Sequence, residues 1–238
     1  MANVQKWQDY HPDYIVAFWR NVDVREFFPA LVPSLERIPI MALVSDLLRY
    51  QVVERFGGIY FDTDILPLRS MEALRTKYGK AFTVCEWSKS PLLASPDEYV
   101  SHTCNSINNC ILAGAPHQPI FQEIVNVTMA NKDEFLKKYD QKLKLNPNEP
   151  MVYSLSTAGP LAWSRVVSRH KNNITRFNNM MFQPCGWGAH KRHCKIDVLK
   201  ANPHVYSVHE FKKSWNKARS MNDTNNQQDR RRGRKKQW

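Results

Sequence analysis

Gly57-Gly58-Ile59-Tyr60-Phe61-Asp62-Thr63-Asp64 sets two carboxylates one residue apart at the end of a short apolar run. Acids leaving a strand at that spacing can reach one divalent cation from the same side. Hard cations such as magnesium and manganese take oxygen ligands and keep positions open for phosphate. Upstream, Ile40, Leu43, Val44, Leu47 and Leu48 repeat at helical spacing from Pro39 until Gly57 closes the element. Ser45-Asp46-Leu47-Leu48-Arg49-Tyr50 lies inside that helix, so Asp46 and Arg49, three apart, share one face. An acid and a base three apart on one helical face, then Gly-Gly, then a strand ending in Asp-X-Asp predict a catalytic site.

Outward from this centre, helices and strands alternate, which predicts an α/β sheet covered on both faces. Tyr14 to Trp19 reads as a short strand after a His-Pro-Asp turn. Asp23 and Glu26 form a small capping box for a helical turn over Val24 to Phe28. Ile59 to Phe61 reads as a short buried strand, with further strands at Ala81 to Val84, Cys110 to Ala113 and Val205 to Val208. Pro119 to Met129 and Pro160 to Val167 read as helices, and the Lys-, Asn- and Asp-rich residues 131–150 as a surface insertion. There is no internal repeat. The expected organisation is one domain over 1–215 and a basic, disordered tail over 216–238.

The central composite resembles the glycosyltransferases with a DXD sugar-binding region, the group holding the yeast-type α-1,6-mannosyltransferases and the inositol-phosphoceramide mannosyltransferases. The catalytic domain of the large clostridial glucosylating toxins is a more distant relative. Trp7 through Phe27, Asn109 through Pro119, Gly159-Pro160, His209 and Ser214-Trp215 resemble further family segments in the right order. The resemblance implies an α/β fold of the GT-A nucleotide-diphospho-sugar transferase type, a Rossmann-like mixed sheet flanked by helices. This chain begins after the family's usual first strand, so a truncated or shortened member is expected.

What the resemblance implies about chemistry can be stated residue by residue. Asp62 and Asp64 are the catalytic pair, Asp64 binding the metal directly and Asp62 touching the sugar nucleotide and the metal's water shell. A bound manganese (or magnesium) ion clamps the diphosphate that leaves as the glycosidic bond breaks. Asp46 holds the donor sugar's hydroxyls, Arg49 supports the sugar and the acids, and Tyr60 and Asn109 touch donor or acceptor. His209 is the third metal ligand, and Ser214 and Trp215 close over the diphosphate on a loop that excludes water. The donor is a UDP- or GDP-sugar, the transferred group a hexose, and the acceptor a hydroxyl of a glycan, glycolipid or protein, with retention of configuration. Gly159-Pro160 shapes a helix start and is assigned no chemistry.

Other readings compete. An apolar strand followed by Asp-X-Asp also opens the haloacid-dehalogenase phosphatases, but the chain has no Gly-Asp dipeptide for that family's later motif. A non-catalytic nucleotide-sugar- or glycan-binding remnant of the same fold is the main alternative. An adaptor acting through the basic tail is a third. Half of the formal charge of +12 comes from residues 217–238, where Arg230-Arg231-Arg232-Gly233-Arg234-Lys235-Lys236 could meet an anionic surface. No specific nucleic-acid partner is expected.

Composition adds bounds. At 238 residues with 42% hydrophobic content the chain can bury a sizeable core. No run approaches the roughly 20 apolar residues of a membrane span, nor is a signal segment visible, so the expectation is a soluble, cytoplasmic chain, or Golgi lumen if a longer form carries an anchor. Five cysteines without a C-x-x-C pair, and a His190, His193 and Cys194 cluster, do not make a zinc site and leave the redox compartment open. Sequons at Asn126, Asn173 and Asn222 bear only on a secretory lumen.

Overall fold

A computed structural model describes residues 2–38, 40–78, 81–86, 95–142, 154–185 and 195–211 of the chain. Its elements are α1 (Ala2–Tyr10), α2 (Asn21–Phe27), α3 (Val32–Arg37), α4 (Met41–Phe56), β1 (Gly58–Phe61), β2 (Ile65–Pro67) and α5 (Glu72–Tyr78). There follow β3 (Ala81–Cys85), β4 (Ile107–Gly114), α6 (Pro119–Lys142), α7 (Pro160–Arg169), β5 (Thr175–Phe177), α8 (Ile196–Ala201) and β6 (Ser207–His209). The main sheet runs β1-β4-β3-β5, antiparallel at its first two pairings and parallel at the third. A two-stranded sheet, β2 with β6, stands beside it.

The alternation of side chains along the strands sorts the core into two layers. Phe82, Val84, Ile111 and Ala113 face Trp7 of α1, Leu74 of α5, and Phe177, Met181 and Phe182. Ala81, Cys85 and Leu112 face Tyr50 and Val53 of α4, Phe121 and Ile124 of α6, and Trp163 and Val166 of α7. The mixed α/β architecture is the one the sequence predicts. A disulfide joins Cys85, the last residue of β3, to Cys104 before β4; Cys185 is disulfide-bonded too, and Cys110 is a buried free thiol.

Several local readings need correcting. Residues 14–20 form no strand, and Ile15 is almost fully exposed (96%). The helix expected from Val24 begins at Asn21, and Asp23 accepts a hydrogen bond from the Arg20 backbone N–H at 2.7 Å, so its capping partner is Arg20 and not Glu26. β1 is not buried: it is a terminal strand of its sheet, and each of its residues keeps some exposure. Helix α6 runs through Lys142, and Phe135 and Leu136 are buried, so residues 131–142 belong to a helix and not to a surface insertion. Phe135 and Leu136 pack with Leu43, Leu47 and Val52 of α4, which supplies the apolar stripe that the Lys-rich composition masks. Pro39, residues 143–150, the His190–His193–Cys194 cluster, Asn222 and the basic tail lie outside the described residues.

Candidate active site

Helix α4 ends at a pair of glycines that only glycine could form easily. Gly57 and Gly58 have φ of 67° and 91°, and a Cβ on Gly57 would lie 2.6 Å from Pro116 Cδ. The turn drops the chain from α4 straight into β1 at close quarters. Because side chains alternate along a strand, Tyr60 and Asp62 then point back toward α4, while Ile59 and Phe61 face the other layer.

Asp46 and Arg49 meet them from the helix. Arg49 Nη2 lies 3.0 Å from Asp46 Oδ1 and 3.3 Å from Asp62 Oδ1, and the guanidinium sits 4.9 Å from the centre of the Tyr60 ring. The Tyr60 hydroxyl donates to Asp62 Oδ1 at 2.8 Å. The third contributor is β4. Its register with β3 shifts between Thr83 and Val84, which pass from Leu112 to Asn108. Such an irregularity re-aims side chains, and here Asn109 Nδ2 donates to Asp46 Oδ1 at 2.8 Å and to the Tyr50 hydroxyl at 3.1 Å, while its carbonyl accepts from Arg49 Nη1. Asp46, Arg49, Tyr50 and Asn109 are all buried.

The electrostatics follow from that burial. Loss of solvation pushes the Asp46 carboxyl up to about 7, against the pull of Arg49 and with a further push from Asp62. Burial opposes the Arg49 charge, yet Asp62, Tyr60 and Asp46 hold its pKa well above the ordinary value. Burial also raises the phenols of Tyr50 and Tyr60, both despite Arg49. A single cation thus serves two acids. The start of α7 also reaches this pair: a Cβ on Gly159 would lie 3.3 Å from Asp46 Oδ2 and 2.8 Å from Leu155 Cα. Gly159 therefore permits a close approach to the second oxygen of Asp46, a reason for that glycine beyond starting a helix.

Asp64 lies in the turn between β1 and β2. That turn is tied down at both ends: Asp62 N donates to Cys110 O at 3.0 Å, and Asp64 O accepts from Glu210 N at 3.0 Å. The β2–β6 ladder pairs Ile65 with His209, which brings the late histidine to the acids. His209 Nε2 is 3.1 Å from Asp64 Oδ1, and ligand atoms of Asp62, Asp64 and His209 lie within 4.8 Å of one another. His209 Nδ1 is buried without a hydrogen-bond partner among the described residues, and its ring stacks on Phe211 at 3.9 Å. Two carboxylates and an imidazole suit manganese or a similar divalent ion, so the residues present fit the implied metal. Ser214 and Trp215 lie outside the described residues.

Three supporting residues carry no sequence signal of their own or an overlooked one. Tyr50 sits inside the quoted helix motif, and its hydroxyl is the second anchor of Asn109. Asn3 of α1 donates to the Thr63 carbonyl, between the two acids, and to Glu210 Oε2 at 2.9 Å. Trp7 stacks on Phe61 at 3.7 Å and donates to the Ile65 carbonyl. All three brace the acidic turn or the helix face.

Residues 1–80 match the family model described as glycosyltransferase sugar-binding region containing DXD motif. Asp62-Thr63-Asp64 is the Asp-X-Asp sequence within those matched residues. Among curated proteins, the chain is 24% identical over 171 residues to mannosyl phosphorylinositol ceramide synthase SUR1 of Saccharomyces cerevisiae, covering 70% of this chain and 37% of that protein. It is 23% identical to the synthase CSH1 of the same yeast, covering 78% and 43%. Inositol phosphoceramide mannosyltransferase 3 of Schizosaccharomyces pombe is 31% identical over 70 residues, covering 28% and 20%. The chain thus spans less than half the length of these relatives. Among solved structures it is similar to PaToxG Glycosyltransferase, with 17% identity, 63% and 44% coverage and a TM-score of 0.35. The ligand-free glycosyltransferase domain of the YGT toxin gives 14% identity, 66% and 51% coverage and a TM-score of 0.39.

Proposed function

We propose that this chain is a metal-dependent glycosyltransferase that moves a hexose from a nucleoside-diphosphate sugar to a hydroxyl of a glycolipid, with retention of configuration. The observation that carries the reading is the convergence of three separate segments, α4, the β1–β2 turn and β6, on one acidic corner. The names of the yeast relatives, mannosyl phosphorylinositol ceramide synthase and inositol phosphoceramide mannosyltransferase, favour a mannosyl donor and a sphingolipid acceptor.

Each residue has a definable task. Arg49 and the Tyr60 hydroxyl hold Asp62 Oδ1, so Oδ2 is the oxygen Asp62 can offer to a ligand. Asp64, Asp62 and His209 would hold manganese or magnesium, whose contribution is to neutralise the charge developing on the leaving diphosphate. Asp46 accepts from donor-sugar hydroxyls, and Arg49 keeps that acid in place and partly charged despite its burial. Asn109 fixes Asp46 from β4. Ser214 and Trp215 are assigned to closure over the diphosphate. Among the described residues, no side chain of the corner is placed as an enzymatic nucleophile, which favours attack on the same face as the departing diphosphate.

Calorimetric titration with a panel of UDP- and GDP-sugars, with and without manganese, tests this on the wild type and Asp64→Ala. Metal-dependent binding of one donor, abolished by the substitution, is the expected result. Absence of binding to every donor by a folded protein would overturn the transferase reading and favour a remnant of the fold.

A further inference from the structure

Asn173-Ile174-Thr175 fits the Asn-X-Ser/Thr acceptor pattern, and the fold sets it where a glycan can stand. Asn173 is exposed in the turn that follows α7, its backbone N–H donating to the His170 carbonyl at 2.8 Å. Ile174 is buried, and the Thr175 hydroxyl that opens β5 donates to the Tyr78 carbonyl at 3.1 Å. The acceptor amide thus sits on a tight turn held at both ends. The Asn126 sequon differs: it lies within α6, where the Thr128 hydroxyl is buried and donates to the Ile124 carbonyl at 2.8 Å.

An independent observation points to the same compartment. Cys85 is paired with Cys104, and Cys185 is disulfide-bonded, which leaves buried Cys110 as the free thiol among the described cysteines. Disulfides persist in oxidising lumens and are rare where glutathione keeps thiols reduced. Asn-linked glycosylation belongs to secreted and lumenal proteins as well.

We propose that this protein works in an oxidising secretory lumen and carries an N-linked glycan on Asn173. In the glycosylation step Asn173 Nδ2 bonds to C1 of the glycan and gives up one proton. The C1–oxygen bond to the lipid pyrophosphate donor breaks, and the lipid pyrophosphate leaves with the electron pair. In the oxidation step Cys85 and Cys104 together give two electrons and two protons to a disulfide-carrying oxidase of the lumen, which is reduced to its dithiol.

The topology keeps the glycan away from the acids. Strands β1, β3 and β5 run in the same direction, since β4 opposes both β1 and β3 and β5 is parallel to β3. Asp62 and Asp64 follow the end of β1, whereas Asn173 precedes the start of β5, at the opposite rim of the sheet. Neither the glycan nor the disulfide depends on the proposed transferase activity or on a bound sugar nucleotide.

Protein taken from its source cells, alkylated at lysis and digested without reduction, tests both halves by mass spectrometry. Expected are a cross-linked Cys85–Cys104 peptide and conversion of Asn173 to Asp by peptide N-glycosidase. Alkylated Cys85 and Cys104, or an unmodified Asn173, would overturn the proposal. In the same cells Asn173→Gln should remove one glycan's gel shift while the cross-link survives, and Thr175→Ser should keep both. A shift that Asn173→Gln leaves in place overturns the assignment to this residue.

Discussion

Asn109 donates its side-chain amide to Asp46 at 2.8 Å, linking β4 to α4 between residues 63 apart in sequence. The same amide nitrogen reaches the Tyr50 hydroxyl, so one side chain satisfies two buried groups of the helix. Leaving such groups without their donor costs about 1–3 kcal/mol. Asn109→Ala should therefore lower the unfolding free energy by about that amount, read from urea melts, and weaken donor binding in step. Unchanged stability would mean that the amide does not anchor the helix.

Asp46 gives a pH signature of definite sign. Its carboxyl sits at about 7 in the fold against an ordinary value of 3.8, so the native state binds the proton more tightly than the unfolded chain. Its contribution is full below pH 3.8 and is lost as pH rises through about 7. Urea midpoints of the wild type and Asp46→Asn, compared across that window, should show the wild type losing ground to the variant as pH increases. A constant difference would refute the shift.

His209 tests the acidic corner from its far side. Loss of this proposed metal ligand should weaken manganese binding at least as much as loss of a supporting partner does, about 10- to 100-fold. His209→Ala, titrated with manganese alone, is expected to show that loss while the fold, followed by circular dichroism, stays intact. Equal affinity in both proteins would remove the histidine from the site.

Gly57 is under both conformational and steric constraint, with φ of 67° and a neighbouring proline carbon 2.6 Å from any Cβ. Gly57→Ala should destabilise by about 1–3 kcal/mol, measured as a shift in urea midpoint. Gly58, whose Cβ would meet nothing within 4 Å, should suffer less from the same change. Equal effects at the two positions would locate the cost in backbone conformation alone.

The Cys85–Cys104 bridge closes a loop of 19 residues in sequence separation. A loop of that length predicts about 3 kcal/mol of stabilisation through the unfolded chain. Cys85→Ala with Cys104→Ala should lose that much in a denaturant titration under oxidising conditions. Under full reduction the variant and the wild type should converge in this loop's contribution.

The helix–glycine–strand core was legible because every one of its signals is local: α4's apolar repeat, the glycine stop, and the strand ending in acids. Asp62, Asp64 and His209 were legible only as chemistry. What joins them is the pairing of Ile65 with His209, a contact across 144 residues that no window of sequence encodes. Tyr14 to Trp19 is a continuous apolar run like a buried strand, but among the described residues it ladders with no neighbour, so composition alone misled. The end of α6 was hidden because its lysines and acids outnumber the two apolar residues that dock on α4. Disulfide pairing likewise needed the hairpin between β3 and β4 to bring Cys85 and Cys104 together.

Helix α4 is simultaneously framework and instrument. Leu43, Leu47 and Val53 fill the interior from the same three turns that present Asp46 and Arg49. On the proposed function, a lineage that altered those polar residues to accept a different sugar would loosen its own centre in doing so. Divergence in substrate choice is therefore channelled away from the helix toward the segments that rim the acidic corner, where a change of contact leaves the interior untouched.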